Sequence, residues 1–211
     1  TGHDQVRLAR DVHPLTQALE LGYRFVSPEA LARTGGAPND LAITFDDGMK
    51  SVFTHAAPIL REFAVPFAVF VVTEWADRRH DWIADKVMTW DEIAALAAEG
   101  VEIGSHSATH PDFGKIAVDQ ITDELEGSRE TLKARLGDAP KTLAIPLGQS
   151  MNWTPMAHAI AKKAGYEVIY AQAEDTRPPG TIARTFVTHF DGERVFKAAL
   201  SGKYDRWEEW V

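Results

Sequence analysis

The stretch Leu41-Ala42-Ile43-Thr44-Phe45-Asp46-Asp47-Gly48 decides how the rest of the chain is read. Its first five residues form a short apolar run without strict alternation, the pattern of a parallel strand covered on both faces. Two carboxylates then leave the strand side by side. Like charges repel and burial penalises both, so the pair is costly unless something compensates it. Successive side chains at a strand end point in different directions. One aspartate can therefore face a cation while the other stays free to accept a proton, and Gly48 permits the tight turn that follows. Asp-Asp-Gly is also common surface-turn chemistry, so the stretch alone does not establish a site.

Working outward, similar runs recur at Tyr23–Val26, Phe67–Val72, Val101–Ser105, Thr142–Pro146, Val168–Ala171 and Ile182–Val187. Helical patterns lie between them. Ser51–Phe63 places Val52, Phe53, Ala56, Ile59, Leu60 and Phe63 on one face. Thr89 followed by Glu92 predicts a capping box for a helix that stops at Gly100. Val118–Leu136 turns Ile121, Leu125, Leu132 and Leu136 inward, and Thr154-Pro155 opens another helix ending at Gly165. Strands alternating with helices predict a β/α barrel or an open doubly wound sheet. The barrel is favoured because each polar cluster follows a strand, and the C-terminal strand ends of a barrel are where sites gather.

The composition is that of a globular protein: 45% apolar and 25% charged over 211 residues. There is no run of eighteen apolar residues, hence no membrane span. A net charge of −9 without a Lys/Arg cluster argues against a nucleic acid partner. With no cysteine, a disulfide framework, a thiolate metal site and a cysteine nucleophile are excluded.

After the strand Val101–Ser105 comes His106-Ser107-Ala108-Thr109-His110. Residues four apart in a helical turn lie on one side, close enough for two imidazoles to grip one metal. Alone the pair equally fits two solvated loop histidines. Together with Asp47 it makes a two-histidine, one-carboxylate set that leaves a position open, as catalytic zinc or non-haem iron requires. Asp46 is then a spare carboxylate, placed to take a proton from water during attack on a carbonyl. A serine hydrolase built on Ser105 or Ser107 lacks the Gly-x-Ser-x-Gly turn.

Thr44-Phe45-Asp46-Asp47-Gly48, then His106-Ser107-Ala108-Thr109-His110-Pro111, then Ala144-Ile145-Pro146-Leu147-Gly148 resemble, in order, the motifs of the polysaccharide deacetylases. This is the NodB-homology domain of carbohydrate esterase family 4, and Leu21–Ser27 is similar to the lead-in of its exopolysaccharide branch. The resemblance implies a single-domain distorted (β/α)7 barrel over residues 1–211. It implies a metal-dependent hydrolase removing N-acetyl, or O-acetyl, groups from a polysaccharide or oligosaccharide and releasing acetate. Asp46 would be the base. Asp47, His106 and His110 would hold one divalent metal, zinc or alternatively cobalt or nickel, whose water attacks. The backbone of Leu147 would hold the oxyanion, and His189, in Val187-Thr188-His189, would protonate the leaving amine. A periplasmic, secreted or envelope-associated setting goes with that family.

Two positions depart from the family pattern. The third motif usually carries an arginine and an aromatic residue, absent from Ala144-Ile145-Pro146-Leu147. Arg184 is the candidate to orient Asp46 instead. For the sugar, the candidates are Trp75 and Trp82, whose rings can stack on pyranose faces, with Pro146 and Arg184. Trp153 is a weaker groove candidate, Trp90 is expected in the core, and Trp207 and Trp210 are expected to pack down the tail. Two alternatives stay open: a same-fold amidohydrolase acting on a non-polymeric amide, and a carbohydrate-binding relic.

Overall fold

Strand β1 (Arg24–Phe25) pairs in parallel with β2 (Asp40–Leu41), and one residue later the chain changes partner. Strand β3 (Ile43–Phe45) pairs with β4 (Phe67–Val71), so the predicted strand Leu41–Phe45 is divided at Ala42 between two sheets. Then come β5 (Glu102–Ser105), β6 (Thr142–Ala144), β7 (Val168–Gln172) and β8 (Ile182–Arg184). These form one six-stranded sheet in the order β3-β4-β5-β6-β7-β8, with every neighbouring pair parallel. The computed structural model describes residues 13–77, 83, 85–172, 177–188 and 190–206. Spatial order equal to chain order, with a crossover at each step, is the curled barrel and not the doubly wound sheet. The predicted strand Tyr23–Val26 shrinks to β1 and lies in the separate two-stranded sheet. β6 stops short of Pro146, which has no N–H to give a ladder, although the Ile145 N–H still reaches the Tyr170 carbonyl at 3.0 Å.

The helices are α1 (His13–Glu20), α2 (Pro28–Thr34), α3 (Ala57–Glu62), α4 (Thr73–Ala76), α5 (Trp90–Ala98), α6 (Val118–Leu136), α7 (Pro155–Ala164) and α8 (Glu193–Leu200). The run predicted as one helix over Ser51–Phe63 begins as a π-helical turn, Val52–Ala56. Pro58 has no N–H to return to Thr54, so the ladder widens there, and the Ala57 N–H bonds the Val52 carbonyl. The capping box at α5 forms as expected: Thr89 Oγ1 accepts from the Glu92 N–H at 3.2 Å, and Glu92 Oε2 from the Thr89 N–H at 2.8 Å.

Both faces of the sheet are buried, which is why its strands read as unbroken apolar runs. Phe67, Val69 and Val71 face outward onto Leu60, Ile93, Leu96 and Leu132. Leu143, Ile145, Ile169 and Ala171 face Leu125, Ala157 and Ala161 of α6 and α7. Ala68, Phe70, Ala144, Val168 and Tyr170 fill the interior. Helix α2 closes the lower end, where the Glu29 N–H donates to Glu102 Oε2 at 3.0 Å and Arg33 pairs with Glu167 at 2.6 Å. Glu102 and Glu167 lie at strand beginnings, leaving the opposite, C-terminal ends open for the polar clusters.

Interior space is tight at one glycine. A Cβ on Gly104 would lie 2.4 Å from the Phe70 ring and 2.6 Å from Thr142 Oγ1. Gly104→Ala is therefore expected to displace Phe70 and to lower stability by about 1–3 kcal/mol in denaturant unfolding. An unchanged midpoint would contradict this packing.

Candidate active site

Four of the five non-glycine residues with positive φ among the described residues gather at the upper end of the barrel: Asp47 (68°), Ser107 (68°), His110 (66°) and Leu147 (65°). Such backbone costs about 1–3 kcal/mol per residue and persists only where the surroundings over-determine it. Asp46 and Asp47 leave β3 together, and the left-handed turn at Asp47 and Gly48 separates their carboxylates.

Asp47 meets the histidine loop. Its Oδ1 lies 3.5 Å from His106 Nε2 and 3.5 Å from His110 Nε2. The ligand atoms of Asp47, His106 and His110 all fall within 4.8 Å of one another. His106 is buried, and its Nδ1 lies 2.8 Å from the Ala144 carbonyl. A carbonyl only accepts, so Nδ1 carries the proton and Nε2 turns its lone pair to the cluster. Burial lowers both imidazoles from their ordinary value, opposed at His106 by the two aspartates, which favours the neutral, ligating form. Burial likewise raises Asp47, against the opposing pull of His106. A divalent cation at that point would offset the burial of the Asp47 carboxylate. Two imidazoles and a carboxylate on one point fit such a cation chemically as well.

Asp46 is held differently. Arg184, on β8, spans the seam between the first and last strands of the sheet. Its Nη1 and Nη2 donate to the two carboxylate oxygens of Asp46 at 2.7 and 2.8 Å, and Nη1 also reaches Thr44 Oγ1 at 3.0 Å. The guanidinium lies 5.5 Å from the Phe70 ring and 5.6 Å from the Tyr170 ring. Such a fork is matched to a carboxylate and prefers aromatic faces. Burial pushes Asp46 up, but Arg184 and the imidazoles outweigh it and hold the carboxyl below its usual range. Asp46 Oδ2 remains 4.0 Å from His106 Nε2, beside the cluster.

The histidine loop rests on a buried hydroxyl chain. The Ser107 N–H donates to Ser105 Oγ at 3.1 Å, which lies 2.9 Å from Ser128 Oγ on α6. Tyr166 lies 3.2 Å from Ser128 Oγ and donates to the Leu125 carbonyl at 3.0 Å; burial pushes its phenol up to about 12. At the loop after β6, Gln172 holds the left-handed turn from both ends: Nε2 donates to the Leu147 carbonyl and the backbone N–H to the Gly148 carbonyl, each at 2.8 Å. Pro146 is buried beside it, while Leu147 is exposed.

The tryptophans divide. Trp75 stacks on His110 at 5.3 Å with its plane tilted by 21°, so the ring faces a site histidine. Trp153 is buried edge-to-face against Phe113 at 5.1 Å and lines no groove. Trp90 packs against the core, and its Nε1 donates to Asp77 at 2.7 Å. His189, Trp82, Trp207 and Trp210 lie outside the described residues. Sequence reasoning missed Gln172, Ser128 and Tyr166, because nothing local in the sequence ties a helix or strand residue to a loop it meets only in the fold.

A family model described as polysaccharide deacetylase matches residues 34–169. A chitooligosaccharide deacetylase of Bradyrhizobium sp. is 26% identical over 130 residues, 61% of this chain and 53% of that protein. The chain spans from about a quarter to about half the length of curated relatives it matches. In fold it is similar to the Streptococcus pyogenes deacetylase PplD, solved with acetate, at a TM-score of 0.74 and 20% identity, over 89% of this chain and 84% of the other. It is also similar to IcaB from Ammonifex degensii, at a TM-score of 0.72 and 23% identity, over 90% and 86% of the two chains. By a match covering well over half of its length, the chain belongs to the polysaccharide deacetylase family.

Proposed function

We propose that this chain hydrolyses the acetamido group of an N-acetylated amino sugar in an oligosaccharide or polysaccharide, releasing acetate and leaving the free amine. The observation that carries the reading is the division of labour between adjacent aspartates: Asp47 joins His106 and His110, while Asp46 is gripped by Arg184. A relic that only binds sugar has no use for a carboxylate held ionised at such a cluster. The relatives named for chitooligosaccharide and peptidoglycan N-acetylglucosamine deacetylation support the choice of substrate.

Asp47 Oδ1, His106 Nε2 and His110 Nε2 would hold one divalent metal, zinc in our reading. When bound, such a cation supplies Lewis acidity, polarising an acyl oxygen and acidifying water. Asp46 takes the proton of the attacking water on a carboxylate oxygen, kept in its basic form by Arg184. The N–H of Leu147 donates to the oxyanion as the carbonyl carbon becomes tetrahedral. His189 then gives a proton to the departing nitrogen. Pro146 and Leu147 edge the sugar site, and Trp75 acts through His110. Among the described residues no helix is long and apolar enough to cross a membrane. Action on a cell-envelope or exported polymer is the setting we propose.

The test is a screen of acetate release from chitin oligomers, β-1,6-linked N-acetylglucosamine polymer, peptidoglycan and acetylxylan, with and without chelator. Release from at least one N-acetylated glycan, stopped by chelation and restored by zinc, is expected. Release that persists in metal-free protein would discard the mechanism.

A further inference from the structure

The four backbone N–H groups of residues 107–110 are all engaged. Ser107 donates to Ser105 Oγ and His110 to Ser107 Oγ, the latter at 2.9 Å. The other two converge on one atom of a distant helix. The Ala108 and Thr109 N–H groups donate to Glu124 Oε2 at 2.9 and 2.8 Å, and the Thr109 hydroxyl to Glu124 Oε1 at 2.6 Å. On the loop's other side, the Ser107 and Ala108 carbonyls accept from the N–H groups of Thr73 and Glu74 at 3.3 and 3.0 Å. Glu124 itself is fixed, since its neighbours Leu125 and Ser128 on α6 are buried.

We propose that Glu124 is a positioning residue for metal binding: its carboxylate holds the Ala108–Thr109 peptides so that His106 and His110 converge before any cation arrives. The inference rests on the reading of Asp47, His106 and His110 as ligands. Its physical basis is the loop's backbone. Ser107 and His110 both occupy the left-handed region, which non-glycine residues leave unless held. Hydrogen bonds to a carboxylate are shorter and about twice as strong as neutral ones. Without Glu124, three loop donors, the Ala108 and Thr109 N–H groups and the Thr109 hydroxyl, lose their partner and the loop relaxes toward ordinary backbone. His106 stays anchored by the Ala144 carbonyl, whereas His110, whose backbone N–H bonds Ser107 Oγ of the same loop, moves with the loop and loses its place between Trp75 and Asp47.

The test measures zinc affinity of the purified protein by competition with a chromophoric chelator, alongside the melting temperature of the metal-free form. Glu124→Ala is expected to raise the zinc Kd by about 10- to 100-fold, the usual cost of losing a group that orients ligands. Glu124→Gln keeps one acceptor oxygen and is expected to raise it by about three- to tenfold. If the alanine variant does not fold, the glutamine variant carries the test. Arg129→Ala removes a different contact of the same helix, the 3.1 Å bond from Nε to the Pro140 carbonyl. It is expected to lower the melting temperature without moving the zinc Kd. Glutamate variants that fold and bind zinc as the unaltered protein does would overturn the proposal. So would an Arg129→Ala variant that weakens zinc as much. A different result, no zinc bound by the unaltered protein and no change in His106→Ala, would overturn the ligand assignment itself and the proposal with it.

Discussion

Asp46→Asn is expected to lower the rate of acetate release by about 10²- to 10⁴-fold, the usual contribution of a positioned general base, while zinc content stays at that of the unaltered protein. Asparagine keeps the shape of the side chain and one acceptor oxygen for Arg184, but its amide takes no proton from water. The separation of effects is what makes the variant informative. Asp47, His106 and His110 form the cluster without Asp46, whose nearest oxygen is 4.0 Å from His106 Nε2. Metal analysis and rate are therefore expected to move independently. A variant that loses both metal and activity would make Asp46 a ligand, and one that loses neither would remove it from the reaction.

Arg184→Met is expected to reduce the rate by about 10- to 100-fold at neutral pH, the scale of a misplaced catalytic group, and to reshape its pH dependence. The sign follows from the balance at Asp46. Burial alone raises this carboxyl, and Arg184 is the leading group that holds it down. With Arg184 present, the basic form survives to low pH. Without it, Asp46 takes up its proton at higher pH, and the acidic limb of the rate profile moves upward. Arg184→Lys is expected to recover little, because an ammonium lacks the fork that bonds both oxygens and the delocalised guanidinium that sits over the Phe70 and Tyr170 rings. An acidic limb that stays in place in both variants would show that Arg184 does not govern Asp46.

Much of this architecture is legible in the sequence for a definite reason. Asp46-Asp47 and His106–His110 each end an apolar run, and in a parallel barrel the ends of successive strands meet whatever the length of chain between them. The helix boundaries at Thr89, Thr154 and Gly165 are equally readable, since a cap is a property of three or four residues. What the residues do not announce is decided by closure of the sheet. Arg184, expected in place of the arginine that the third motif lacks, does meet Asp46 across the seam from a strand 138 residues away, a pairing that the family resemblance suggests and no spacing rule encodes. The division of Leu41–Phe45 at Ala42 depends on β1 and β4 competing for one strand. Trp153 resembles a sugar-stacking residue by type, yet a groove and a core are built from the same rings, and Phe113 claims it for the core. Helix α2 is missed because it is short, although Ser27-Pro28 caps it in the ordinary way.

Asp47, His106 and His110 are expected to hold one ion at one point. Crystals grown with zinc and measured at the zinc absorption edge locate that ion without reference to activity. The expected result is a single strong anomalous peak at about 2.0–2.2 Å from Asp47 Oδ1, His106 Nε2 and His110 Nε2, with Asp46 still paired to Arg184. A peak held by other residues, or density showing these three side chains apart with zinc in excess, would contradict it.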